Sequence, residues 1–441
     1  MRVKTVRAST LIENGLATTT LVWTFAPTER RYGDEAQFGF SAPPRGVVTL
    51  FAYWFRGERV VARAVERERA TSIYNQLWAQ NIDPALVEQD ERNTFRARIF
   101  PVETNQDVRV EMQLVQPLEA TPEGAKWVLP LEQPYTAPRR LSKWLPEPTA
   151  GAPVYDRLDV DVRCADPGAV SFPGATFSDG RWRFRGQKVA ANRDFVMRWS
   201  RPQNAALRAD LSSGRDGLGD GYFCLTLRPA QTLSGVRLRI EGVATSDVLP
   251  SRLDGVRAGE NVVICGRFRG AGKARVVLQS GARTLTAPVA FGTRANTSAA
   301  KMWAARQLAA WGADESKRRR VIALSKQWNL PSAQTSWLAV PKSEVGADEL
   351  TRRKAEAARL SRQIASDLVL GHKAAAQKNR AKLAQLFEPQ KWSAETTRDK
   401  WVRWQVQGAL SDLAGGLSRV LAQRHFDGAT DMRKRCVCVV N

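Results

Sequence analysis

From Val3 to Phe291 apolar positions mostly recur every second residue, and from Met302 onward they recur every three to four. The first regime predicts strands and the second helices. Thr18–Phe25 and Val47–Phe55 are β-branched and aromatic, which suits a pleated, half-buried surface. Ala26-Pro27-Thr28 and Arg56-Gly57-Glu58 end them as turns, and Val60–Val65 runs back. The exception to period two lies at 66–89. Ala70, Ile73, Tyr74, Leu77 and Trp78 have the i, i+3, i+4, i+7, i+8 spacing of one helix face. Asn81 and Asp83-Pro84 stop that helix, because proline disfavours a helical conformation in the residue before it. A short segment, Ala85–Gln89, leads into the strand-like Thr94–Ile99 and the alternating Val108–Leu114, closed by Gln116-Pro117-Leu118. A helix with one wet face has to press onto a sheet, and the strands on either side supply one.

Further along, Glu119–Pro153 is rich in Pro, Ala and charge and reads as a connection over the surface. Leu158–Val162 alternates cleanly, Gly180–Gly186 reads as a hairpin arm, and Phe195–Trp199 as a strand. Gly214–Gly221 reads as a flexible glycine loop. It lacks the lysine and the following helix that a phosphate-binding loop needs, since Tyr222–Leu227 is strand-like. Val262–Cys265, Ala274–Leu278 and Leu285–Phe291 are short strands. Met302–Ala309 and Lys317–Asn329 are helices, the second with Val321, Ile322, Leu324 and Trp328 as its core face, and Gln334–Pro341 is a strand end. Asp348–Phe387 is helical and mixed in charge, with a stripe of Leu360, Ile364, Leu368 and Leu370 and a joint at Gly371-His372. Trp392–Phe426 carries a second amphipathic pattern that includes Trp401 and Trp404.

The order of these features carries a resemblance. Phe38-Gly39-Phe40 and Pro43-Pro44 precede the helix, which holds Ala70 and Tyr74 four apart; Ala85–Gln89, Phe95, Ile99 and the Val108–Leu118 strand follow. From about Val3 to Leu118 the chain resembles the VIT domain, named for vault proteins and inter-alpha-trypsin inhibitor heavy chains. It departs from the family pattern at Ser41-Ala42 and at Asn81-Ile82-Asp83. Asp194–Trp199 is similar to a strand that follows in such proteins. Tyr222–Pro229 resembles the strand that there precedes a von Willebrand factor type A domain, whose Asp-x-Ser-x-Ser loop holds a hard cation. Here Leu238–Gly242, Ser246–Pro250 and Gly259–Phe268 resemble what normally follows that domain, so the resemblance implies that the domain itself is missing. Asp210–Gly214 only superficially resembles the metal loop and reads as a turn. The resemblance runs, interrupted, to about Pro341.

The 441 residues allow several domains; 43% apolar and 25% charged residues are the profile of a globular protein. The net charge of +23 admits anionic partners: nucleic acid, an acidic protein face or anionic lipid. The basic residues are dispersed rather than blocked, which favours charge spread over all faces. The arginine- and alanine-rich composition looks bacterial. Cys164, Cys224, Cys265, Cys436 and Cys438 form no repeated spacing, so no disulfide framework is expected. Met1–Lys4 leads straight into strand-like sequence, and no run approaches the roughly 18 apolar residues of a membrane span, which makes cytoplasmic the expectation. Cys438-Val439-Val440-Asn441 has the form of a prenylation box, with Cys436 and basic residues upstream, but Asn is an unusual final residue for it. His372 and His425 stand on predicted helices far in sequence from Cys164, Cys224 and Cys265, so no nucleophile–base pair is expected; Cys436 and Cys438 with His425 make only three zinc-ligand candidates, at irregular spacing, where a site needs four.

The expected fold is α+β: a β-sandwich-like VIT domain (1–120) with one packed helix, a connection (121–153), a further β-rich segment (154–300), two helices and a terminal strand (301–345), a basic helical C-terminal region (346–430) and a Cys-containing tail (431–441). The expected role is a non-catalytic interaction scaffold or adaptor, with no catalytic, cofactor or metal residues. Its partner would be a protein, for example an enzyme encoded nearby, contacted through Trp401, Trp404, Arg352, Arg353, Lys354, Cys436 and Cys438, with self-association through the C-terminal helices. Nucleic acid on Arg352-Arg353-Lys354, Lys373, Lys378, Arg380 and Lys382 is the alternative, and membrane enters only if the cysteine tail is lipidated.

Overall fold

The computed structural model describes residues 2–26, 34–55, 57–79, 85–90, 93–102, 107–131, 154–164, 169–192, 194–200, 205–216, 221–312 and 314–341, then 356, 359–364, 366–367 and 370–385. The chain divides into two compact units. One comprises residues 1–71 and 85–339, the other 72–84 and 340–441.

In chain order the strands of the first unit begin with β1 (Arg2–Glu13), β2 (Leu16–Ala26), β3 (Asp34–Ser41), β4 (Val47–Phe55), β5 (Glu58–Val61) and β6 (Arg63–Glu66). Helix α1 (Arg67–Ala79) follows, then β7 (Ala85–Gln89), β8 (Thr94–Val102), β9 (Val108–Pro117), β10 (Glu119–Thr121) and β11 (Gly124–Leu129). Next come β12 (Val154–Cys164), β13 (Ala169–Ser171), β14 (Thr176–Ser178), β15 (Arg181–Ala190), β16 (Phe195–Ser200), β17 (Leu207–Arg215) and β18 (Gly221–Pro229). The last strands before the helices are β19 (Leu233–Glu241), β20 (Ala244–Leu249), β21 (Leu253–Val256), β22 (Val262–Arg269), β23 (Gly272–Ser280) and β24 (Arg283–Phe291). Helices α2 (Thr297–Trp311) and α3 (Arg318–Trp328) precede a final strand, β25 (Thr335–Ala339).

Among the described residues these strands form five sheets. The largest has eight strands in the order β14-β15-β12-β1-β2-β9-β4-β5. Its antiparallel run is broken by β12, which pairs parallel to β1 from Thr5 opposite Arg157 to Ile12 opposite Cys164. One sheet therefore continues from the first hundred residues into 154–190. The second sheet, β3-β8-β7-β25-β6, is built from the strands that flank α1, with β25 inserted between β6 and β7. The expected short link Ala85–Gln89 is thus a strand, and Gln334–Pro341 holds an inner strand rather than a strand end. All five residues of β25 are buried. In α1, Ala70 and Tyr74 are buried and Ile73 is half-buried.

The surface connection expected from residue 119 is corrected in its first part. Glu119–Leu129 is a hairpin in the sheet β10-β11-β16-β13, and its Trp127 is fully buried. Ala125, Trp127, Leu129 and Leu131 belong to the same core as Leu158 and Met197, so the Pro- and charge-rich composition of the segment concealed four core residues. Residues 132–153 lie outside the described set.

Residues 207–291 form a sandwich of two four-stranded sheets, β17-β18-β22-β20 and β21-β19-β23-β24. Strand β18 is buried at all nine positions because both of its faces are covered. Phe223, Leu225 and Leu227 enter the sandwich core, while Tyr222 and Cys224 pack with Met302, Trp303 and Leu324 of the helices. The expected turn at Asp210–Gly214 is instead strand β17, paired residue by residue with β18. Its small residues suit the segment that leads into α2. Ser213 accepts from the Gly292 amide at 3.0 Å, Asn296 donates to Ser212 at 2.9 Å, and a Cβ on Gly214 would stand 2.4 Å from the Arg294 carbonyl oxygen. Gly214 and Gly221 are strand residues, so the expected glycine loop shrinks; 217–220 lie outside the described set.

Asn296 caps α2, its side-chain oxygen accepting from the Ser298 and Ala299 amides at 3.1 and 3.2 Å. Asn329 ends α3 in the left-handed conformation, φ 52°. Its amide then imitates a strand, accepting from the Ala64 N–H at 2.7 Å and donating to the Ala62 carbonyl at 2.9 Å. On α2, Lys301 donates to the Thr49 carbonyl at 2.7 Å, and burial lowers its pKa. The unfolded chain therefore holds this proton more tightly than the folded one. Stability relative to Lys301→Met is expected to rise as pH climbs from 7 towards the ordinary lysine value of about 10.4. Urea midpoints of both chains across that range check it; parallel pH profiles would remove the lysine as the cause.

In the second unit, helical residues 359–364 and 366–367 are followed by a turn at Gly371 and by α4 (Lys373–Gln385). Leu360 and Ile364 of the expected stripe are buried, but Leu370 is 63% exposed. The described helix ends before Leu370, so that residue stands in the turn, off the helical face. Among the described residues no helix is long and apolar enough to cross a membrane.

Candidate functional site

The first unit carries an open groove of about 750 Å³. One wall is the turn before β19, strand β21 and the start of β22; the other is the end of α2 and the turn at Arg45. The apolar lining includes Leu233, Leu249, Val256 and Val263. Charge comes from Arg45, Arg257 and Arg306 against a single glutamate, Glu260. Arg45 follows Pro43-Pro44 in a left-handed turn, φ 63°, and donates to the Asn261 carbonyl at 2.9 Å. Asn261 in turn donates to the Leu118 carbonyl at 2.8 Å, which ties the groove to the end of β9. Arg257 pairs with Glu260 only at 3.7 Å and stays 80% exposed. Arg306 is half-buried, and its Nε is buried without a hydrogen-bond partner.

Cys224 and Cys265, in the cluster packed against α2, face each other with sulfurs 3.3 Å apart, both fully buried. Burial alone would raise the Cys265 thiol. The hydrogen bond shared with Cys224 and the positive charge of Arg306 outweigh it and set that thiol below its ordinary range. Cys224 is pushed well above it, by the shared hydrogen bond and by burial.

A groove with an apolar lining and three guanidinium groups is chemically suited to carboxylates interleaved with apolar side chains. Among the described residues no group of three or more His, Cys, Asp or Glu is placed to hold a metal ion. The residues that sequence reasoning singled out fall elsewhere. Arg352, Arg353, Lys354, Trp401, Trp404, Cys436 and Cys438, with His425, lie outside the described residues. Lys378 and Lys382 are exposed one turn apart on α4, Arg380 is half-buried, and His372 is exposed in the turn before that helix. The groove residues were missed because Arg45, Arg257 and Arg306 are far apart in a chain with 67 Lys and Arg, and nothing local distinguishes them.

Among known proteins, no curated protein matches the chain. Solved structures with some likeness include native yeast LTA4 hydrolase, at 14% identity and a TM-score of 0.28, covering 48% of this chain and 29% of that one. Yeast LTA4 hydrolase in complex with bestatin is similar at 13% identity and a TM-score of 0.28, covering 48% and 30%. The chain spans less than a third of those chains' length, and at that TM-score the likeness carries nothing about function. The family model described as the Vault protein inter-alpha-trypsin domain matches residues 3–114, from the start of β1 into β9. With the ordered features from Phe38 to Leu118 in place on their strands, this chain carries a VIT domain.

Proposed function

We propose that this chain is a non-catalytic protein–protein interaction scaffold, acting as adaptor for, or regulatory target of, a separately encoded enzyme. In this reading an acidic segment of the partner, with interspersed apolar side chains, lies in the groove between β21, β22 and α2. The VIT family suggests protein interaction in general. The observation that carries the finer reading is the groove's lining, three arginines against one glutamate over an apolar surface. In this reading the body also runs without a cation-binding lobe at its usual place, since residues 230–232 join β18 to β19.

The test uses a fluorescent peptide of alternating Glu and Leu. Arg257 is exposed, so Arg257→Glu leaves the fold alone and is expected to weaken binding about tenfold, with affinity falling as salt rises. Equal binding by both chains, or none by the wild type, sinks the reading. The alternative, nucleic acid on the basic C-terminal helices, draws on the exposed Lys378 and Lys382. It requires duplex DNA or RNA to bind with a steep log–log salt slope.

A further inference from the structure

We infer that Cys224 and Cys265 form a redox-active dithiol, which hydroperoxides oxidise to a disulfide joining β18 to β22. The register places the two residues directly opposite each other on antiparallel strands. Opposed Cα atoms in such pairs stand about 4.5–5.5 Å apart, within the span of a disulfide. The sulfurs, at 3.3 Å, already point at one another. Neither strand has to change neighbours for the bond to form, because β18 lies between β17 and β22, and β22 between β18 and β20.

Two buried thiols in an apolar core would ordinarily be inert. Arg306 is what separates this pair from that case. Its positive charge, half-buried beside the pair, offsets the cost of ionising a thiol there. It favours the thiolate on Cys265 and leaves Cys224 as the protonated partner. Arg306 also lines the groove, as does Val263, two residues before Cys265 on the same face of β22.

The chemistry balances with a hydroperoxide as oxidant. The Cys265 thiolate attacks one peroxide oxygen; an S–O bond forms, the O–O bond breaks, and the other oxygen leaves with the electron pair and takes a proton. Cys224 then attacks the sulfenic sulfur. The S–S bond forms, the S–O bond breaks, and the departing hydroxide takes the Cys224 proton as water. Two thiols are oxidised and one peroxide is reduced. The scheme is independent of what occupies the groove.

The wild-type chain tests it directly. After native treatment with hydrogen peroxide, the protein is unfolded, alkylated, digested and mapped. Two of its five thiols are expected to be lost, with the Cys224 and Cys265 peptides linked and dithiothreitol restoring both. Cys224→Ser is expected to stop at a sulfenic acid on Cys265 that dimedone traps. Arg306→Met is expected to slow oxidation at pH 7 and to recover as pH rises past the ordinary thiol range of about 8.5. A merely structural arginine would give no such pH dependence. Full alkylation of Cys224 and Cys265 after peroxide, or linkage only to other cysteines, overturns the inference.

Discussion

Residues 3–114 produced alone are expected to remain unfolded, although they are the stretch that the family model matches. The reason is in the second sheet. Strand β25 pairs with β6 through Thr335 opposite Glu66 and Trp337 opposite Ala64, and with β7 through Trp337 opposite Val87 and Ala339 opposite Ala85. Without it, β6 and β7 lose the strand between them, and their backbone N–H and C=O groups lose partners inside a buried layer. The eight-stranded sheet would lose β12 beside β1 as well. Circular dichroism and a urea titration of the 3–114 fragment check this; a cooperative transition would show that the fragment suffices. In the full chain, Trp337→Ala isolates the same contact. Trp337 is fully buried, stacks on Phe95 with ring centroids 6.1 Å apart, and donates to the Asn329 carbonyl at 3.1 Å. Its truncation is expected to cost about 4 kcal/mol. A loss below about 1 kcal/mol would mean that β25 contributes little beyond its backbone.

Arg228 carries the second large effect. It is 7% exposed at the end of β18, on the face opposite the sandwich core. Its guanidinium donates to the carbonyls of Gly124 and Thr121, and to that of Pro122 at 3.5 Å. One planar fork thus holds the β10–β11 turn against β18, a task suited to several donors in fixed directions. Burial, followed by the like charge of Arg208, lowers its pKa, while Glu123 opposes that shift. Arg228→Met leaves those carbonyls without their donor, and is expected to cost about 3 kcal/mol. Arg228→Lys should recover less than half, because a single ammonium cannot span the carbonyls. Urea midpoints at constant m-value measure both. Hydrogen exchange should also quicken across Gly124–Leu129 in the methionine variant. An unchanged midpoint would mean that the hairpin is held by Trp127 and its core neighbours alone.

Local pattern was enough for most of the individual elements. Val47–Phe55 reads as a strand from its side chains and is one, and the spacing of Ala70 and Tyr74 marks a helix that forms. The change of period after Phe291 announces α2 and α3. These features are legible because alternation and 3.6-residue spacing record which face of an element is buried. The ordered set of them also sufficed for the VIT resemblance. Where the pattern misled, a nonlocal neighbour had replaced the usual side-chain code. Ser212-Ser213-Gly214 reads as a turn because the chain entering α2 needs small polar residues against that strand. Glu119–Leu129 reads as a loop because part of its polarity serves ion pairs such as Lys126–Glu119, at 2.8 Å.

What only the tertiary structure decided is which elements meet. Nothing in Thr335–Ala339 marks it as the neighbour of strands more than two hundred residues earlier, and nothing near Arg45 points to Arg257 or Arg306. Strand pairing is made by backbone groups that every residue carries, so register across long separations leaves almost no trace in side-chain order. A groove lined by five separate segments, and a thiol pair forty-one positions apart, exist only once those pairings are made.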